Sequence, residues 1–447
     1  MTSVHTLDHP GPAQTAVLPA IAVAALSLAG FINLAPTGGV LLATVIVDAC
    51  VAAMAGLALL QLANEPTARV YPWVVALVAL AVTYLALMVG GTESLSSELS
   101  TWRNVALYAF AAVYTAYCLR SQEQAERLTS LAIGLAGVLA LFGVAQALLA
   151  ARLPGFLLEP KDAVVFGYYG TDIVRSNGLI GNTIVYATYL TLMVAVTWAR
   201  WLERRGRFLL AVVGLLLVAI YLTYSRAAMA GSVVVLAGIF VVTRRDVLRA
   251  SLRALALAVG LALGVLVAFA TPLRAAIESS FAYRELFLGQ NASVQGSNAA
   301  HAMDVTLGIQ QFSANPWIGT GVASQAQFST LSEYGISITD GAFWARLAET
   351  GLLGMTAHLA VVVTAAATLC RLAVRRGPGS SLALGLLAFT IFQFMGAAFV
   401  NSAFYGKTPF VMYWILFGAA VAQNRLALAC DPAVSSRPGS SVERVAR

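Results

Sequence analysis

Apolar runs recur along the whole chain, and each is long enough to cross a lipid bilayer as a helix. The hydrocarbon core of a bilayer requires about 20 apolar residues in helical form. The runs are continuous and do not alternate with polar residues, so a transmembrane β-barrel is disfavoured. Of the 447 residues only 11% are charged, whereas soluble domains carry roughly one quarter. The sequence therefore predicts an all-α integral membrane protein.

We interpret these runs as about twelve transmembrane helices. Their approximate bounds are 16–34, 39–62, 70–90, 104–119, 128–150, 178–199, 208–223, 227–243, 254–270, 343–370, 380–400 and 408–424. Together they predict a membrane domain over residues 16–430, with an N-terminal tail at 1–15 and a polar C-terminal tail at 431–447. The N-terminal tail lacks a basic n-region, so no cleaved signal peptide is predicted.

Lys and Arg residues set the predicted orientation, because positively charged loops stay in the cytoplasm. With both termini cytoplasmic, two thirds of the 27 Lys and Arg residues fall in inner segments. The net charge of +7 is thus spread over short loops between helices, and we predict no nucleic-acid partner. The four cysteines lie far apart, so neither a disulfide framework nor a metal site is predicted.

Two predicted outer segments are longer than simple connections, at residues 151–177 and 271–342. The second lies between helices nine and ten, and a segment of that length is expected to be partly helical and functional. Helical spacing within it places Val305, Ile309 and Phe312 on one face, and Asn315-Pro316 is expected to end this helix.

Charged and polar residues gather at the predicted outer surface, and this convergence is the main indication of a functional site. The set comprises Arg175, Arg226, Arg284, His301, Asp340, Arg346, Glu349 and Lys407. An arginine fork matches phosphate oxygens, so Ser225-Arg226 in TYSRAAMAG and Arg175 in RSNGLIGN predict an anion site. The alternative for Arg226 is an interfacial side chain that reaches lipid headgroups.

The stretch DGAFWARLAETGLLG, residues 340–354, carries three charged residues where a membrane helix should begin. Arg346 and Glu349 are three positions apart and are expected to pair. Asp340 is either a helix N-cap or, like Glu349, a partly buried general base. His301 has two interpretations as well, a packed residue on an apolar helical face or the base.

Four short motifs, taken in this order, resemble the O-antigen ligase and Wzy-type polymerase superfamily of bacterial membrane glycosyltransferases. RSNGLIGN is similar to the family's Arg-x-x-Gly-x-x-x-Asn segment, and Ser225-Arg226 to its Ser-Arg element. NPWIGTG, residues 315–321, resembles a Pro-x-x-Gly-x-Gly element, and ETGLLG, residues 349–354, a Glu-x-Gly-Leu-Leu-Gly signature. The resemblance is best over residues 175–417.

The resemblance implies a metal-independent enzyme without a cofactor, in the bacterial inner membrane, with its active site on the periplasmic side. Family members move a glycan from undecaprenyl pyrophosphate to an acceptor sugar hydroxyl, as O-antigen or exopolysaccharide polymerases or ligases. The implied partners are an undecaprenyl-pyrophosphate-linked oligosaccharide donor, a glycan or lipid-linked acceptor, membrane lipids and other polysaccharide assembly proteins.

The resemblance also implies residue roles. Arg226, Arg175, Arg284 and Ser225 would bind pyrophosphate. Family ligases carry a His-Asn pair, with the histidine as the proposed catalytic residue, then nine residues and then Gly-x-x-Gly; at the place of the pair this chain has Asp340-Gly341. Asp340 would then be the base, with His301 and Glu349 as further candidates, and this departure favours a polymerase or a different acceptor over ligation to lipid A-core. Outer aromatic residues are expected to stack on sugar rings, namely Tyr168, Tyr169, Trp317, Tyr334, Phe343 and Trp344.

Two other functions compete with this interpretation. A transporter or flippase would carry ionisable residues near the bilayer midplane and repeated halves with interrupted spans. Asp48 lies within the second predicted span, and we predict that this residue is nearer the inner end of the span than the outer end. The sequence contains no internal repeat. An inactive, non-catalytic relative is supported by the departure at Asp340 alone.

Overall fold

A computed structural model of the chain describes residues 16–33, 39–64, 70–91, 93–149, 152–153, 165–168, 171–178, 180, 182–243, 292–326, 329, 338, 341–375, 377–399 and 401–429. The predicted ninth span at 254–270 and the two predicted tails lie outside these residues. The other predicted spans each have a helix in the corresponding part of the chain.

Helices form almost all of the described structure. In chain order they are α1 (Val17–Asn33), α2 (Gly39–Asn64), α3 (Pro72–Met88), α4 (Leu95–Val105), α5 (Phe110–Cys118), α6 (Gln122–Leu148), α7 (Thr183–Arg204), α8 (Arg207–Tyr221), α9 (Arg226–Thr243), α10 (Ala292–Ala314), α11 (Ala342–Val374), α12 (Ser380–Met395) and α13 (Lys407–Ala429). Short 3-10 turns occupy Leu107–Ala109, Ala397–Phe399 and Ala403–Tyr405.

Six stretches of the described residues are long and apolar enough to cross a membrane. They are Leu42–Asn64, Gln122–Leu148, Arg226–Thr243, Ala342–Val374, Ser380–Phe399 and Lys407–Ala429. Three further apolar helices are shorter, at Val17–Leu28, Pro72–Met88 and Arg207–Tyr221. The chain is thus a helical, multi-pass membrane protein, as predicted, whereas the number of twelve spans and their orientation remain predictions.

The predicted span at 104–119 is interrupted in the structure. Helix α4 ends at Val105, a 3-10 turn follows, and α5 comprises only 9 residues. Nine helical residues rise about 14 Å, roughly half of the hydrocarbon core. Every residue of α5 is buried, and the helix packs between α2 and α13. Apolar composition at 104–119 therefore reflects burial within the protein, and one regular membrane helix does not form there.

One short hairpin departs from the all-α prediction. Strand β1 (Val165–Tyr168) pairs antiparallel with β2 (Thr171–Val174), with Val165 opposite Val174. The sequences VFGY and TDIV are rich in the β-branched and aromatic residues that favour strands. The hairpin lies in the predicted outer segment 151–177 and leads directly into Arg175.

The core of the molecule surrounds α7 and α13. Helix α13 packs against α5, α6, α7 and α12, and its side chains are buried on every face. Helix α7 is buried over most of its length as well. A helix that is apolar or buried all round belongs in the interior of a bundle. Two central helices thus hold the outer ones in place.

Residues from several predicted inner segments meet at one end of the bundle. Glu126 of α6 accepts hydrogen bonds from Arg200 and Arg204 of α7, and the Arg425 guanidinium of α13 donates to the Leu119 carbonyl oxygen at 2.7 Å. Lys407 begins α13 at the opposite end. The basic residues predicted to share one membrane face are therefore neighbours in the fold.

Candidate functional site

The RSNG segment, residues 175–178, lies against the turn between α8 and α9. The Arg175 Nε donates to the Thr223 carbonyl oxygen at 2.7 Å, and the Ser176 N–H donates to the Leu222 carbonyl oxygen at 3.0 Å. That turn continues into Ser225 and Arg226, the first residue of α9. The structure thus brings together the two arginine motifs singled out in the sequence.

Gln146, near the end of α6, fixes the RSNG backbone. Its amide oxygen accepts from the backbone N–H groups of Asn177 and Gly178 at 3.0 and 3.2 Å, and its amide nitrogen donates to Asn177 Oδ1 at 2.9 Å. Gly178 has φ +56°, and an added methyl group would lie 2.3 Å from the Tyr186 ring. Sequence reasoning missed Gln146, although a glutamine in an apolar run is the type of signal that marks a buried hydrogen-bonding role.

The two arginines differ in environment. Burial lowers the pKa of Arg175 to about 10, so this side chain still carries its charge at neutral pH. Arg226 is half-buried at the N-terminal end of α9, where the helix dipole adds partial positive charge. Thr223 Oγ1 accepts from the Ser225 N–H at 3.2 Å and so shapes the turn. The region is electropositive and suited to an anion.

Helix α11 is broken at Gly351, and the NPWIGTG segment fills the break. Gly351 has φ 56° and ψ −158°, outside the helical region. The Thr320 N–H donates to the Ala348 carbonyl oxygen at 2.8 Å. The Gly321 N–H donates to the Glu349 carbonyl oxygen at 3.0 Å. On the other side of the break, the Leu352 N–H donates to the Pro316 carbonyl oxygen at 2.8 Å. The Leu353 N–H donates to the Trp317 carbonyl oxygen at 3.1 Å. Two motifs that are separate in the sequence therefore form one structural unit.

Arg346 and Glu349 form the ion pair that their spacing predicts. Glu349 is only 3% exposed, and its other oxygen accepts from the Gln325 N–H at 3.4 Å. A buried carboxylate needs such partners, because burial of an unpaired charge is costly. Both carboxylate oxygens are thus engaged by neighbouring groups.

Tyr405 connects the two sides of the break in α11. The Arg346 guanidinium lies 5.4 Å from the centroid of the Tyr405 ring, a cation–π contact. The Tyr405 hydroxyl forms a hydrogen bond with Nε2 of His358, which is buried. His358 and Arg346 are twelve positions apart on α11 and share this one aromatic neighbour, so a polar network runs through the break.

Gln325 links two parts of the predicted outer segment to each other and to α11. Its amide nitrogen donates to Gln311 Oε1 of α10 at 2.6 Å, its amide oxygen accepts from the Ile338 N–H at 2.8 Å, and its backbone contacts Glu349. Sequence reasoning did not single out this residue. A glutamine is suited to the place because it both donates and accepts.

The N-terminal end of α11 packs against the segment that follows α12. The Ala342 N–H donates to the Asn401 carbonyl oxygen at 3.3 Å, and the Phe343 ring lies 4.7 Å from that of Phe399. The residue at the N-cap position is Gly341, with φ 75°, and it makes no side-chain capping bond. The N-cap interpretation of Asp340 is therefore wrong by one position, and Asp340 itself lies outside the described residues.

His301 lies on α10, which packs against α11. The helix ends at Ala314, as the Asn315-Pro316 signal predicts. Asp304 and Gly308 are buried on the packed face, whereas the neighbouring face, which carries Val305, Ile309 and Phe312 as predicted, is half-buried at Val305 and Phe312 and exposed at Ile309. A methyl group on Gly308 would lie 2.9 Å from Trp344 Cβ. Close contact through Gly308 thus places the helix carrying His301 against the start of α11.

A second charged cluster is centred on Asp48. The sequence analysis named Asp48 and Lys407 but did not predict that they are in contact. Asp48 of α2 accepts from Arg103 at 2.9 Å and from Lys407 at 3.1 Å, and it also accepts from the Tyr108 hydroxyl. Lys407 begins α13, opposite the end where Arg425 lies. Asp48 therefore lies at the end of the bundle that we predict to be outer, and our placement of it nearer the inner end is wrong. Asp48 is the tenth residue of α2, which begins on the predicted outer side, so its place in the sequence already indicated the outer half of the helix.

The described site residues fall into two groups, and α12 packs against the helices of both. One group is Arg175, Ser225 and Arg226, and the other is Arg346, Glu349 and the helix that carries His301. Helix α12 contacts α7 and α9, which lead to the first group, and α11, which carries the second. The predicted site residues Arg284 and Asp340 lie outside the described residues, as do Tyr169 and Tyr334.

The fold and the site define a helical membrane protein with an arginine-lined turn and a broken, charged helix, and one family model matches part of the chain. Residues 210–359 match the family model described as O-antigen ligase. This match includes Ser225-Arg226, NPWIGTG and ETGLLG and covers less than half of the chain, and it supports the predicted resemblance to the O-antigen ligase and Wzy-type superfamily. Among curated proteins, no match to the chain was found. The match supports a function of the O-antigen ligase or polymerase type in general terms.

Proposed function

We propose that the chain is a glycosyltransferase that moves a glycan from undecaprenyl pyrophosphate to an acceptor sugar hydroxyl at the periplasmic face of the inner membrane. The O-antigen ligase match over residues 210–359 supports this class of reaction. The departure at Asp340 favours a polymerase or an acceptor other than lipid A-core. The reaction needs three things from the protein: an anion site for the leaving group, a base for the acceptor, and a scaffold that aligns them.

The observation that carries the proposal is the contact between Arg175 and the turn that leads to Arg226. Arg175 Nε donates to Thr223 O, three residues before Arg226. Two guanidinium groups near one helix N-terminus suit a pyrophosphate, because arginine and free helical N–H groups both bind phosphate oxygens. Arg284 and Ser225 complete the proposed set of pyrophosphate ligands.

In the proposed step, the acceptor hydroxyl oxygen forms a bond to the anomeric carbon of the donor sugar. The bond between that carbon and the pyrophosphate oxygen breaks, and the electron pair leaves with undecaprenyl pyrophosphate. The proton of the acceptor hydroxyl passes to the base. Arginines already in place stabilise the negative charge that grows on the leaving group, and such fixed charges contribute strongly to catalysis.

We assign the base to Asp340. Nine residues separate the Asp340-Gly341 pair from Gly351, as in the family motif, and this spacing supports the assignment, as does the anchoring of the residues on either side. Ile338 is held by Gln325, and Ala342 is held by the Asn401 carbonyl oxygen. His301 remains the second candidate for the base. Glu349 is assigned a positioning role, because Arg346 and Gln325 engage its two oxygens.

The test is a turnover assay on purified protein with an undecaprenyl-pyrophosphate oligosaccharide pool. Release of undecaprenyl pyrophosphate and the length of the glycan products are measured together. Chain growth identifies a polymerase, whereas transfer of one block to a different acceptor identifies a ligase. Absence of turnover, with the donor shown to bind, would refute the proposal for that donor.

Arginine variants test the anion site in the same assay. We expect Arg175→Gln and Arg226→Gln each to weaken donor binding about 10- to 100-fold, as expected for loss of hydrogen bonds to a charged group. The matched control is Arg127→Gln on α6, whose side chain is exposed and paired only with Glu123 among the described residues. Equal effects at all three positions would argue against a specific pyrophosphate site.

A further inference from the structure

The turn at 316–318 exposes two large apolar side chains. Trp317 is 72% exposed and Ile318 is 57% exposed. A tryptophan and an isoleucine side by side are costly to leave in water, because roughly 25 cal/mol is lost for each Å² of apolar surface that stays hydrated. The surface around this turn therefore needs an explanation.

The turn is fixed to a membrane helix. Leu352 and Leu353 donate backbone hydrogen bonds to Pro316 and Trp317, and Gly319 lies against the Ala348 and Glu349 backbone. Trp317 and Ile318 thus cannot move independently of α11. Wherever α11 lies in the bilayer, the turn lies beside residues 351–353.

The length of α11 sets the depth of that position. From Gly351 to Arg371, near its C-terminal end, the helix rises about 30 Å, which equals the thickness of the hydrocarbon core. Arg371 and Arg375 mark one boundary, since basic residues stay outside the core. Gly351 then marks the opposite boundary, where the headgroups begin.

The exposed face of α11 continues into the turn. Leu352 and Leu353 are 38% and 50% exposed, and Leu359 and Val363 are exposed farther along the same helix. On a membrane helix such a face contacts lipid. Trp317 and Ile318 extend this face at the level of Gly351, and tryptophan is enriched at that level in membrane proteins.

We propose that the turn at 316–318 is docked in the lipid interface at the end of the bundle opposite Arg371, with Trp317 and Ile318 in contact with the bilayer. The described residues 292–326 of the predicted outer segment are thereby attached to the membrane at this turn. Trp317 then contacts lipid and does not stack on sugar rings, which corrects one role implied by the family resemblance. This inference is independent of the proposed reaction.

Fluorescence in nanodiscs tests the proposal. The chain has seven tryptophans, so the Trp317 contribution is obtained as the difference between wild type and Trp317→Phe. We expect phosphatidylcholine brominated near the headgroup end of its acyl chains to reduce that difference emission by about half or more, as befits an interfacial tryptophan. Bromine near the chain ends should reduce it less. Soluble acrylamide should have little effect.

The matched control is Trp344→Phe on α11, the helix to which the turn is fixed, because the Trp344 indole nitrogen is buried and that ring contacts Phe343. Its difference emission should change little with brominated lipid. If the Trp317 difference emission is unaffected by brominated lipid and is quenched by acrylamide, Trp317 faces water and the proposal is wrong. Protection of Trp317 from acrylamide by added glycan, without quenching by brominated lipid, would restore the sugar-stacking role.

Discussion

Gly319 and Gly351 lie so close to each other's chain segments that neither position has room for a side chain. A methyl group on Gly319 would lie 2.4 Å from the Ala348 carbonyl oxygen, and one on Gly351 would lie 2.5 Å from the Trp317 carbonyl carbon. Both residues also have positive φ, at 73° and 56°. The contact explains why NPWIGTG and ETGLLG both carry glycine at these places.

Gly351→Ala and Gly319→Ala should each destabilise the protein. Overpacking costs about 1–3 kcal/mol, and a backbone conformation with positive φ adds roughly 1–3 kcal/mol for an L-residue. Thermal unfolding in detergent measures the loss. Gly134→Ala on α6 is the control, since nothing lies within 4 Å of its added methyl group. Unchanged midpoints for both variants would contradict the close contact.

Substitutions at Arg346 and Glu349 should have non-additive effects on the free energy of unfolding, because the two side chains form an ion pair. Arg346→Met should cost about 3–5 kcal/mol, because it leaves the Glu349 carboxylate buried and unpaired. The double variant with Glu349→Gln should recover most of that stability. A double-mutant cycle on unfolding midpoints provides the coupling energy. Additive effects would show that the pair makes no net contribution.

The variant Glu349→Gln tests whether Glu349 positions its neighbours or acts as the catalytic base. Because glutamine still accepts from the Gln325 N–H, we expect this variant to retain measurable turnover, with a pH profile like that of the wild type. Loss of turnover by a factor of about 10² or more, with folding and donor affinity retained, would return Glu349 to the role of base.

Gln325→Leu should lower kcat more than it raises KM. The substitution removes the bonds from Gln325 to Gln311 and to the Ile338 N–H, and so loosens the segment that precedes Asp340. Gln310→Leu on α10 is the control, since Gln310 is exposed. Rescue by Gln325→Asn or Gln325→Glu would show that hydrogen bonding matters there. Equal kinetics in the leucine variants would refute this positioning role.

Glu98 on α4 predicts a pH dependence of stability. Its side chain is buried, and this burial, with the nearby Glu93 charge, raises the pKa of the Glu98 carboxyl. A raised pKa in the folded state means that stability falls as pH rises through the unfolded value of about 4.3 toward the folded value. Glu98→Gln should therefore raise the unfolding midpoint at pH 7 and have no effect near pH 4. Glu123→Gln, at an exposed position of α6, should change neither.

Helix positions were largely predictable, because a membrane span can be recognised in the sequence from its length and apolar composition. The region 104–119 shows the limit of that reasoning, since burial between α2 and α13 produces the same composition as contact with lipid. The β1–β2 hairpin was missed because four-residue strands carry little pattern. The missed hairpin leads directly into Arg175 of the candidate site, whereas the helices that carry the other described site residues were predicted.

Local pairing was predictable within the candidate site, and long-range pairing was not. The spacing of Arg346 and Glu349 predicts their ion pair, because residues three apart share a helix face. Nothing in the spacing of Gln325 or Gln146 shows that their amides fix backbone far away in the chain. The contact of NPWIGTG with the break at Gly351 likewise depends on tertiary packing, and only the concentration of glycine hinted at it.

The most direct test of the central claim is single-turnover transfer from an undecaprenyl-pyrophosphate glycan by wild type, Asp340→Asn and His301→Gln, with donor affinity measured alongside. If Asp340 is the base, Asp340→Asn should bind the donor as the wild type does and transfer about 10²- to 10⁴-fold more slowly, the usual range for a lost general base. His301→Gln should transfer at a rate close to that of the wild type. Full transfer by Asp340→Asn, with transfer lost in His301→Gln, would contradict the assignment and move the base to α10.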